Sequence, residues 1–281
     1  MNQARRLWEA VEPLHAVVYF TPEPADAARA LGVPGWWAGY FTGRVAPLGP
    51  IDAATASAVL YGFAPGRVAK ALPGAWAHAS PQDVLAARFD AVRAVLDRAL
   101  PPERDGLERL AALLETAVGA CRFEGRALAA GWSGVPVPSD VVGRVWLAAT
   151  VLREHRGDGH VLAAVHAGLR GLDAILTHVA TGAITRESIQ ISRGWSDEEW
   201  EESHGRLVAL GLLDRAGGLT GSGERVRREI EEATDRLAAD PVTALGEAGV
   251  AEVVALATPL SRHLVDTGVI PVPNPIGAPR P

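Results

Sequence analysis

The densest group of side chains able to do chemistry is the run Arg153-Glu154-His155-Arg156-Gly157-Asp158-Gly159-His160. A histidine here, His155 or His160, can act as a general base if a carboxylate such as Asp158 orients it. An arginine such as Arg156 can hold an anionic substrate. No nucleophile elbow, phosphate loop or dinucleotide fingerprint accompanies the run, so the sequence names no reaction class.

The same run has a structural interpretation, which accounts best for Asp158. Apolar stretches lie on both sides, so Gly157 and Gly159 would form a turn and Asp158 would cap the helix after it. A metal site could use N and O ligands from His155, Asp158 and His160, but their spacing matches no familiar metal motif. We expect no bound metal, name no cofactor, and leave open whether the chain is an enzyme.

A second candidate site lies before residue 91, where eleven of the sixteen aromatic side chains are found. A cavity lined by aromatic groups with a few polar groups among them suits a flat organic ligand. In the alternative interpretation these residues form an aromatic core, in which His15 and Tyr19 only satisfy backbone partners. Together with two arginines of the second half, the candidate ligand-binding residues are His15, Tyr19, Trp37, Tyr40, Arg44, Arg126 and Arg156.

The elements that must position these side chains are predicted to be helices, because apolar residues recur at helical spacing through most of the chain. Pro13 interrupts the first of these stripes, which predicts two short helices or one bent helix near the N-terminus. Further helices are predicted at residues 52–61, 65–72, 81–100, 107–118, 139–152 and 159–179.

Two helical halves precede the last hundred residues. Similar glycine, arginine and proline positions recur in both halves, which leaves an internal duplication open. Gly43-Arg44 and Gly125-Arg126 each lead through a proline to a helix, which gives Arg44 and Arg126 equivalent positions. If the halves pack together, the two candidate sites form one cavity. Arg44 would then share it with Tyr40, His15 and at least one of Arg126, His155, Arg156 and His160.

A helix-turn-helix is predicted next, and its second helix is acidic. A short helix from Ile184 to Ile191 leads to a turn and to Ser196, which caps the second helix with Glu199 completing a capping box. In DNA-binding proteins this second helix enters the major groove. Here it carries five carboxylates, which would repel phosphates: Asp197, Glu198, Glu199, Glu201 and Glu202.

A small β-wing is predicted after the second helix. Asp214-Arg215-Ala216-Gly217-Gly218-Leu219-Thr220 has the length and glycines of a tight two-stranded hairpin, and an exit helix would follow from Gly223 to Ala238. Predicted boundaries therefore divide the chain into an aromatic-rich half at 1–102, a second helical half at 103–182, a winged-helix unit at 183–240, and a C-terminal helix with a Pro-rich tail at 241–281.

Several segments resemble one family over nearly the whole chain: EPLHAVVYFTPE, GYFTGRVAPLG, LREHRGDGH, RGWSDEEW and LTGSGERVRREIEEATDRLAADP. They are similar to an actinobacterial family of proteins near this length that are described as helix-turn-helix or MarR-like. The resemblance implies the fold. It implies no particular activity, cofactor or ligand.

Composition narrows the function classes. The net charge is −6, which disfavours general binding to nucleic acid, and the single cysteine, Cys121, excludes an internal disulfide and a thiolate metal cage. We find no run of about 18 apolar residues and no signal-like region near the N-terminus. The expectation is a soluble cytoplasmic protein without a membrane partner.

These observations favour an all-α fold with a small β-wing, in which a degenerate winged helix serves packing or dimerisation. The leading hypothesis is a small-molecule-binding protein, a sensor or sequestering factor, whose partner is a small organic, aromatic or anionic ligand and not a specific nucleic acid. A homodimer fits this hypothesis. The alternatives are an enzyme that uses the run from Arg153 to His160 and a MarR-like DNA-binding regulator.

Overall fold

The computed structural model describes residues 2–102 and 104–281, and helices are nearly all of its regular structure. The α-helices are α1 Gln3–Phe20, α2 Glu23–Ala30, α3 Gly35–Val45, α4 Ala53–Val59, α5 Pro65–Ala69, α6 Pro81–Ala99, α7 Leu107–Gly119, α8 Ala127–Ser133, α9 Val141–His166, α10 Gly171–Val179, α11 Arg186–Arg193, α12 Asp197–Ala209, α13 Gly221–Leu237 and α14 Ala239–Asp266. Two short 3-10 helices cover Ala46–Leu48 and Gly74–Ala77. The all-α part of the predicted fold is confirmed.

A first hydrophobic core joins the predicted halves. It draws on α1, α3, α6, α7, α8, the first part of α9 and α14, and Trp132, Trp146 and Phe41 lie fully buried within it. The boundary predicted at Pro101-Pro102 lies between α6 and α7, yet both helices pack into this one core. The predicted division into four units stays a prediction.

Helix α1 continues through Pro13, where a break or bend was expected. Proline lacks the N–H that would close the hydrogen bond to the preceding turn, which costs helix stability. Here Pro13 and nearly every residue from Ala10 to Tyr19 are buried between α14 and α9. Packing on both sides therefore holds the helix together across the proline.

Helix α14 closes the first core. By length and composition alone it could cross a membrane, which the sequence-based expectation overlooked. In the structure, however, Val253, Ala257 and Leu264 are buried in the first core, and α14 packs along α1 and α7. Gly246, with a φ of 66°, kinks the helix. The buried apolar residues of α14 belong to the first core, although only 28% of its most apolar 18-residue window is buried.

A second, smaller core belongs to the helix-turn-helix. The end of α9 and α10–α13 bury Leu172, Leu176, Trp200, Leu207 and Ile230 together. Within it, α11 and α12 form the predicted helix-turn-helix. The expected capping box is present, because the Ser196 hydroxyl accepts the backbone N–H of Glu199 and the Glu199 carboxylate accepts that of Ser196.

The predicted β-wing is not shown as a pair of strands, because the described residues contain no β-strand. A single antiparallel bridge pairs Leu213 with Leu219. Between them the Asp214 carboxylate accepts the backbone N–H groups of Ala216 and Gly218 at 2.8 and 2.9 Å. Backbone hydrogen bonds from Asp214 N to the Gly218 carbonyl at 2.9 Å and from Thr220 N to the Leu212 carbonyl at 3.1 Å lie on either side of the bridge.

The turn predicted within the run from Arg153 to His160 is wrong, because the whole run lies inside the 26-residue helix α9. Asp158 does not cap a following helix; its carboxylate accepts the backbone N–H of Ala129, 3.0 Å away, at the start of α8. Gly159 is required by packing, since a Cβ there would lie 3.3 Å from both Arg126 and Leu237. The actual break comes at Gly168, with a φ of 78°.

Candidate functional site

A cavity of about 620 Å³ lies between the two cores. Helices α1, α3 and α9 and the residues 59–63 form one side, and α10, α11 and α13 form the other. Its charged lining residues are six arginines and four carboxylates: Arg5, Arg44, Arg153, Arg156, Arg193, Arg227, Glu12, Glu154, Asp158 and Glu231. With every carboxylate ionised, and with Asp235 counted because it pairs with Arg5 and Arg156 of the lining, an excess of one positive charge remains, although the whole chain carries −6.

The inner wall of the cavity is an arginine–glutamate network. Arg44 on α3 donates from Nη2 to both carboxylate oxygens of Glu154 on α9, at 3.0 and 2.9 Å, and Arg153 donates to the same carboxylate at 3.0 Å. Burial raises the pKa of Glu154, but Arg44 and Arg153 outweigh burial and hold it below its usual value. Glu154 is therefore ionised at neutral pH.

Arg44 keeps donor capacity beyond this network. The residue is only 8% exposed, and its Nε has no hydrogen-bond partner among the described residues. Its Nη1 lies 3.4 Å from the hydroxyl of Tyr40. A buried donor without a partner is costly, and the Arg44 Nε–H is such a donor on the inner wall.

Arg193 reaches the cavity from the other side. It is the last residue of α11, it lies over the ring of Phe63 at 4.4 Å, and it donates to the carbonyl oxygen of Pro275 at 3.3 Å. No carboxylate of the described residues lies within ion-pair distance of it. Burial lowers its pKa. Arg193 is therefore a half-buried cation whose charge is not neutralised by a partner.

His15 and Tyr19 lie behind this wall and do not line the cavity in the described structure. Thr150 donates to the carbonyl oxygen of Trp146, so its hydroxyl accepts from His15 Nδ1–H at 2.9 Å. The free Nε2 then accepts from the Tyr19 hydroxyl at 3.0 Å. Burial holds the pKa of His15 well below its usual value, so the imidazole is neutral.

A third buried arginine, Arg88, was missed in the sequence. It is 6% exposed and lies about 6 Å from the ring centres of Tyr19, Trp132 and Trp146. Gly43 leaves room for it, since a Cβ there would collide with the guanidinium. The signal was available, because Arg88 occupies a position on the apolar stripe of α6 where a charge is unexpected.

The outer part of the cavity is more polar, and its arginines Arg5 and Arg156 are paired with carboxylates. Arg156 forms an ion pair with Asp235 at 2.8 Å. Thr234 donates to a backbone carbonyl, so it accepts from His160 Nδ1–H at 3.0 Å. Burial lowers the pKa of His160. This part of the wall offers a neutral imidazole beside neutralised arginines, in contrast to the inner wall.

The three residues proposed for catalysis do not form one constellation. His155 is buried away from the cavity, and burial lowers its pKa to about 4. Asp158 lines the cavity, and burial raises its pKa to about 6. Neither histidine is within hydrogen-bond distance of Asp158. Because no carboxylate orients a histidine, the residues lack the geometry of a base and its orienting partner.

The remaining candidates are divided between the cavity and other sites. Arg44 and Arg156 line the cavity together with His160, while Tyr40 contacts the network from behind. Arg126 instead donates to the backbone carbonyls of His155 and Leu237, both at 2.7 Å. Trp37 faces a separate groove, where Arg67 lies over its ring at 4.4 Å.

Metal binding has no geometric support in residues 2–102 and 104–281. No three histidine, cysteine, aspartate or glutamate side chains there converge on a point suited to a metal ion. The absence of a bound metal stays a prediction.

The exposed face of α12 keeps the acidic character seen in the sequence. All five of its carboxylates are exposed to solvent. Arg186 on α11 pairs with two of them, Asp197 at 2.7 Å and Glu201 at 2.8 Å. Arg227 of the exit helix turns inward, donating to Thr177 at 3.1 Å. The helix-turn-helix therefore presents little positive charge on this face.

Residues 4–271 match a family described as a helix-turn-helix family. The chain belongs to this family. The match covers nearly all of both cores, and all of the cavity lining except residues 275–277. Comparison with curated proteins finds no match, and comparison with solved structures finds none. The family membership gives this helix-turn-helix protein the fold of DNA-binding regulators; its MarR-like character is a proposal.

Proposed function

We propose that the protein binds a small organic anion in the cavity between its two cores. The observation that carries this proposal is the excess of arginine over carboxylate in the lining, within a chain of net charge −6. A charged arginine removed from water is stable only when it is paired. An anion at the inner wall would supply the missing charge to Arg193, next to the network in which Arg44 and Arg153 share the Glu154 carboxylate.

The apolar part of the lining favours an organic ligand over a simple inorganic ion. Leu60, Phe63, Leu128, Ile175 and Ile189 all face the cavity. Its volume lies within the range of about 300–1,000 Å³ that is typical of small-molecule sites. We infer a ligand with an apolar body, aromatic or aliphatic, and one carboxylate or similar anionic group directed towards Arg44.

The helix-turn-helix serves this function as a wall of the site. Helices α10 and α11 contribute lining residues, and the exposed face of α12 is acidic. Like charges on α12 and on phosphate would oppose ordinary reading of the major groove. We therefore propose a sensor or sequestering protein of MarR-like, winged-helix ancestry whose helix-turn-helix does not read DNA sequence.

The experiment is native mass spectrometry of the purified protein, followed by thermal unfolding with a panel of aromatic and medium-chain aliphatic carboxylates. We expect a co-purified organic acid, or a rise in Tm with some members of the panel. Arg193→Gln should reduce that rise, because it removes an unpaired cation. Arg280→Gln, which removes an exposed arginine paired with Asp266, is the matched control. A panel without any effect on Tm would reject the proposal.

A further inference from the structure

The first part of helix α9 packs into the first core and its end packs into the second. Its middle, residues 153–162, belongs to neither hydrophobic core. Its residues up to Leu152 pack into the first core, and Ala163 packs into the second. Between them lies the charged run that lines the cavity. A bend of α9 within residues 153–162 would therefore change the angle between the cores.

Two glycines occupy this middle segment, and they differ in what surrounds them. Gly159 is fixed by packing against Arg126 and Leu237. At Gly157 a Cβ would meet only the Glu154 carboxylate, at an ordinary contact distance of 3.8 Å. Alanine would therefore fit at 157 and would favour the helix by about 1 kcal/mol. Packing does not explain why glycine stands there.

The cavity spans the two sides that such a bend would move. Arg44, Leu60 and Phe63 come from the first core, while Ile175 and Arg193 come from the second. A molecule that contacts both sides would fix the angle between them. Away from α9, the turn of the helix-turn-helix is tied to the first core by hydrogen bonds, from Ala64 N to the Arg193 carbonyl at 3.0 Å and from Trp195 Nε1 to the Gly62 carbonyl at 3.1 Å.

We infer that Gly157 is a hinge in α9, through which the helix-turn-helix core turns relative to the first core when the cavity is filled. This inference rests on the proposed anion binding for its trigger, but the hinge itself is a property of the unliganded helix. A glycine inside a helix leaves the backbone exposed and lowers the helix propensity. The part of α9 around Gly157 therefore opens locally more often than the rest of the helix.

The first test needs no ligand and uses hydrogen exchange of the full chain. Amides of residues 157–161 should exchange faster than those of residues 145–151 in the same helix. Gly157→Ala should slow them about fivefold, the factor that corresponds to the ~1 kcal/mol difference in helix propensity. Gly205→Ala, in open space within α12, is the matched control and should leave α9 unchanged. Equal exchange along α9, or no slowing in Gly157→Ala, would overturn the hinge.

The second test measures the angle between the cores. Spin labels are placed on Ala86→Cys in α6 and Glu202→Cys in α12, both exposed positions, in a Cys121→Ala background. Saturation with the carboxylate that most raises Tm should shift the label distance by more than about 2 Å, and Gly157→Ala should reduce that shift. Gly205→Ala should retain it. Binding without a shift in the label distance would overturn the hinge alone. Failure of every carboxylate to bind would overturn the proposed function, and the exchange experiment would then decide whether Gly157 is a hinge.

Discussion

An arginine–carboxylate pair in the first core and another at the helix-turn-helix differ sharply in burial. In the first core Arg44 and Glu154 pair with side chains 10% and 2% exposed, whereas in the second Arg186 and Asp197 pair with side chains 38% and 77% exposed. A surface pair contributes little to stability because water and salt screen it. A buried pair costs desolvation and is strongly destabilised when one partner is lost. The ion pair that is costly to disrupt therefore lies in the interior of this chain, on the wall of the cavity.

The largest difference should appear when one arginine is removed from each core. Arg44→Met should lower the free energy of unfolding by roughly 3 kcal/mol, because it leaves the buried Glu154 short of a partner. Arg186→Met should lower it by less than about 1 kcal/mol. Urea denaturation monitored by tryptophan fluorescence measures both. Adding Glu154→Gln to Arg44→Met should recover part of the loss, and equal effects of the two single substitutions would remove the contrast between the cores.

A buried carboxylate should behave differently from an exposed one as pH changes. Burial raises the pKa of Asp158 from 3.8 to about 6, so its contribution to stability is full below pH 3.8 and is lost as pH rises through 6. Asp158→Asn keeps an acceptor for Ala129 N–H and has no charge to bury. It should therefore stabilise the protein at pH 8 by on the order of 1–3 kcal/mol.

The gain in the free energy of unfolding of Asp158→Asn should decrease as the pH is lowered from 6 to 4 and should be absent below that range. Asp90→Asn, at an exposed position on α6, is the control and should show no comparable pH dependence. Urea midpoints at a series of pH values give the result. A gain that persists unchanged at pH 3.5 would show that the aspartate acts through something other than its charge.

The acidic face of α12 should keep the protein from specific binding to DNA. At physiological salt we expect no binding to a mixed-sequence duplex tighter than about 10⁻⁵ M by fluorescence anisotropy. Removing charge with Glu198→Gln, Glu201→Gln and Glu202→Gln together should raise affinity by less than about tenfold, without sequence preference. Selection of a consensus sequence at nanomolar affinity would contradict the proposed role of this helix.

The smallest effect concerns the three tyrosines. Burial raises the pKa of Tyr40, but Arg44 and Arg193 outweigh it and bring the pKa below 10; burial raises the pKa of Tyr61 to about 12 and raises that of Tyr19. Alkaline titration at 295 nm should therefore show one phenol ionising before the other two. Tyr40→Phe should delete that early phase, and a titration in which it remains would place the arginines away from Tyr40.

Local features of the fold could be predicted from the sequence, and tertiary features could not. Ser196 and Glu199 form the expected capping box because a cap depends only on neighbours three residues apart. Gly157 and Gly159 suggested a turn, but packing on both sides of α9 overrides their low helix propensity. Asp158 caps a helix as expected of its type, yet the helix is α8, which no local pattern could identify.

The candidate site was predictable in its residue types and not in its pairings. Arg44 and Arg156 line one cavity, whereas Tyr40 and His15, which were expected to share it, lie behind its wall. Arg193 was missed, since it was assigned to a turn and its position in the cavity depends on how the two cores meet. Trp37 and Arg126 were grouped with the site because of their types, but they lie in other environments.

Binding of an anion by the arginines of the cavity is tested by comparing one ligand with and without its charge. Isothermal titration calorimetry should be performed with the best carboxylate of the panel and with its primary amide, which has the same shape. We predict that the carboxylate binds at least about tenfold more tightly, since hydrogen bonds to charged groups contribute about 1.5–3 kcal/mol, and that Arg193→Gln narrows this ratio. Equal affinity for the acid and the amide would contradict the claim that the arginines of this cavity hold an anion.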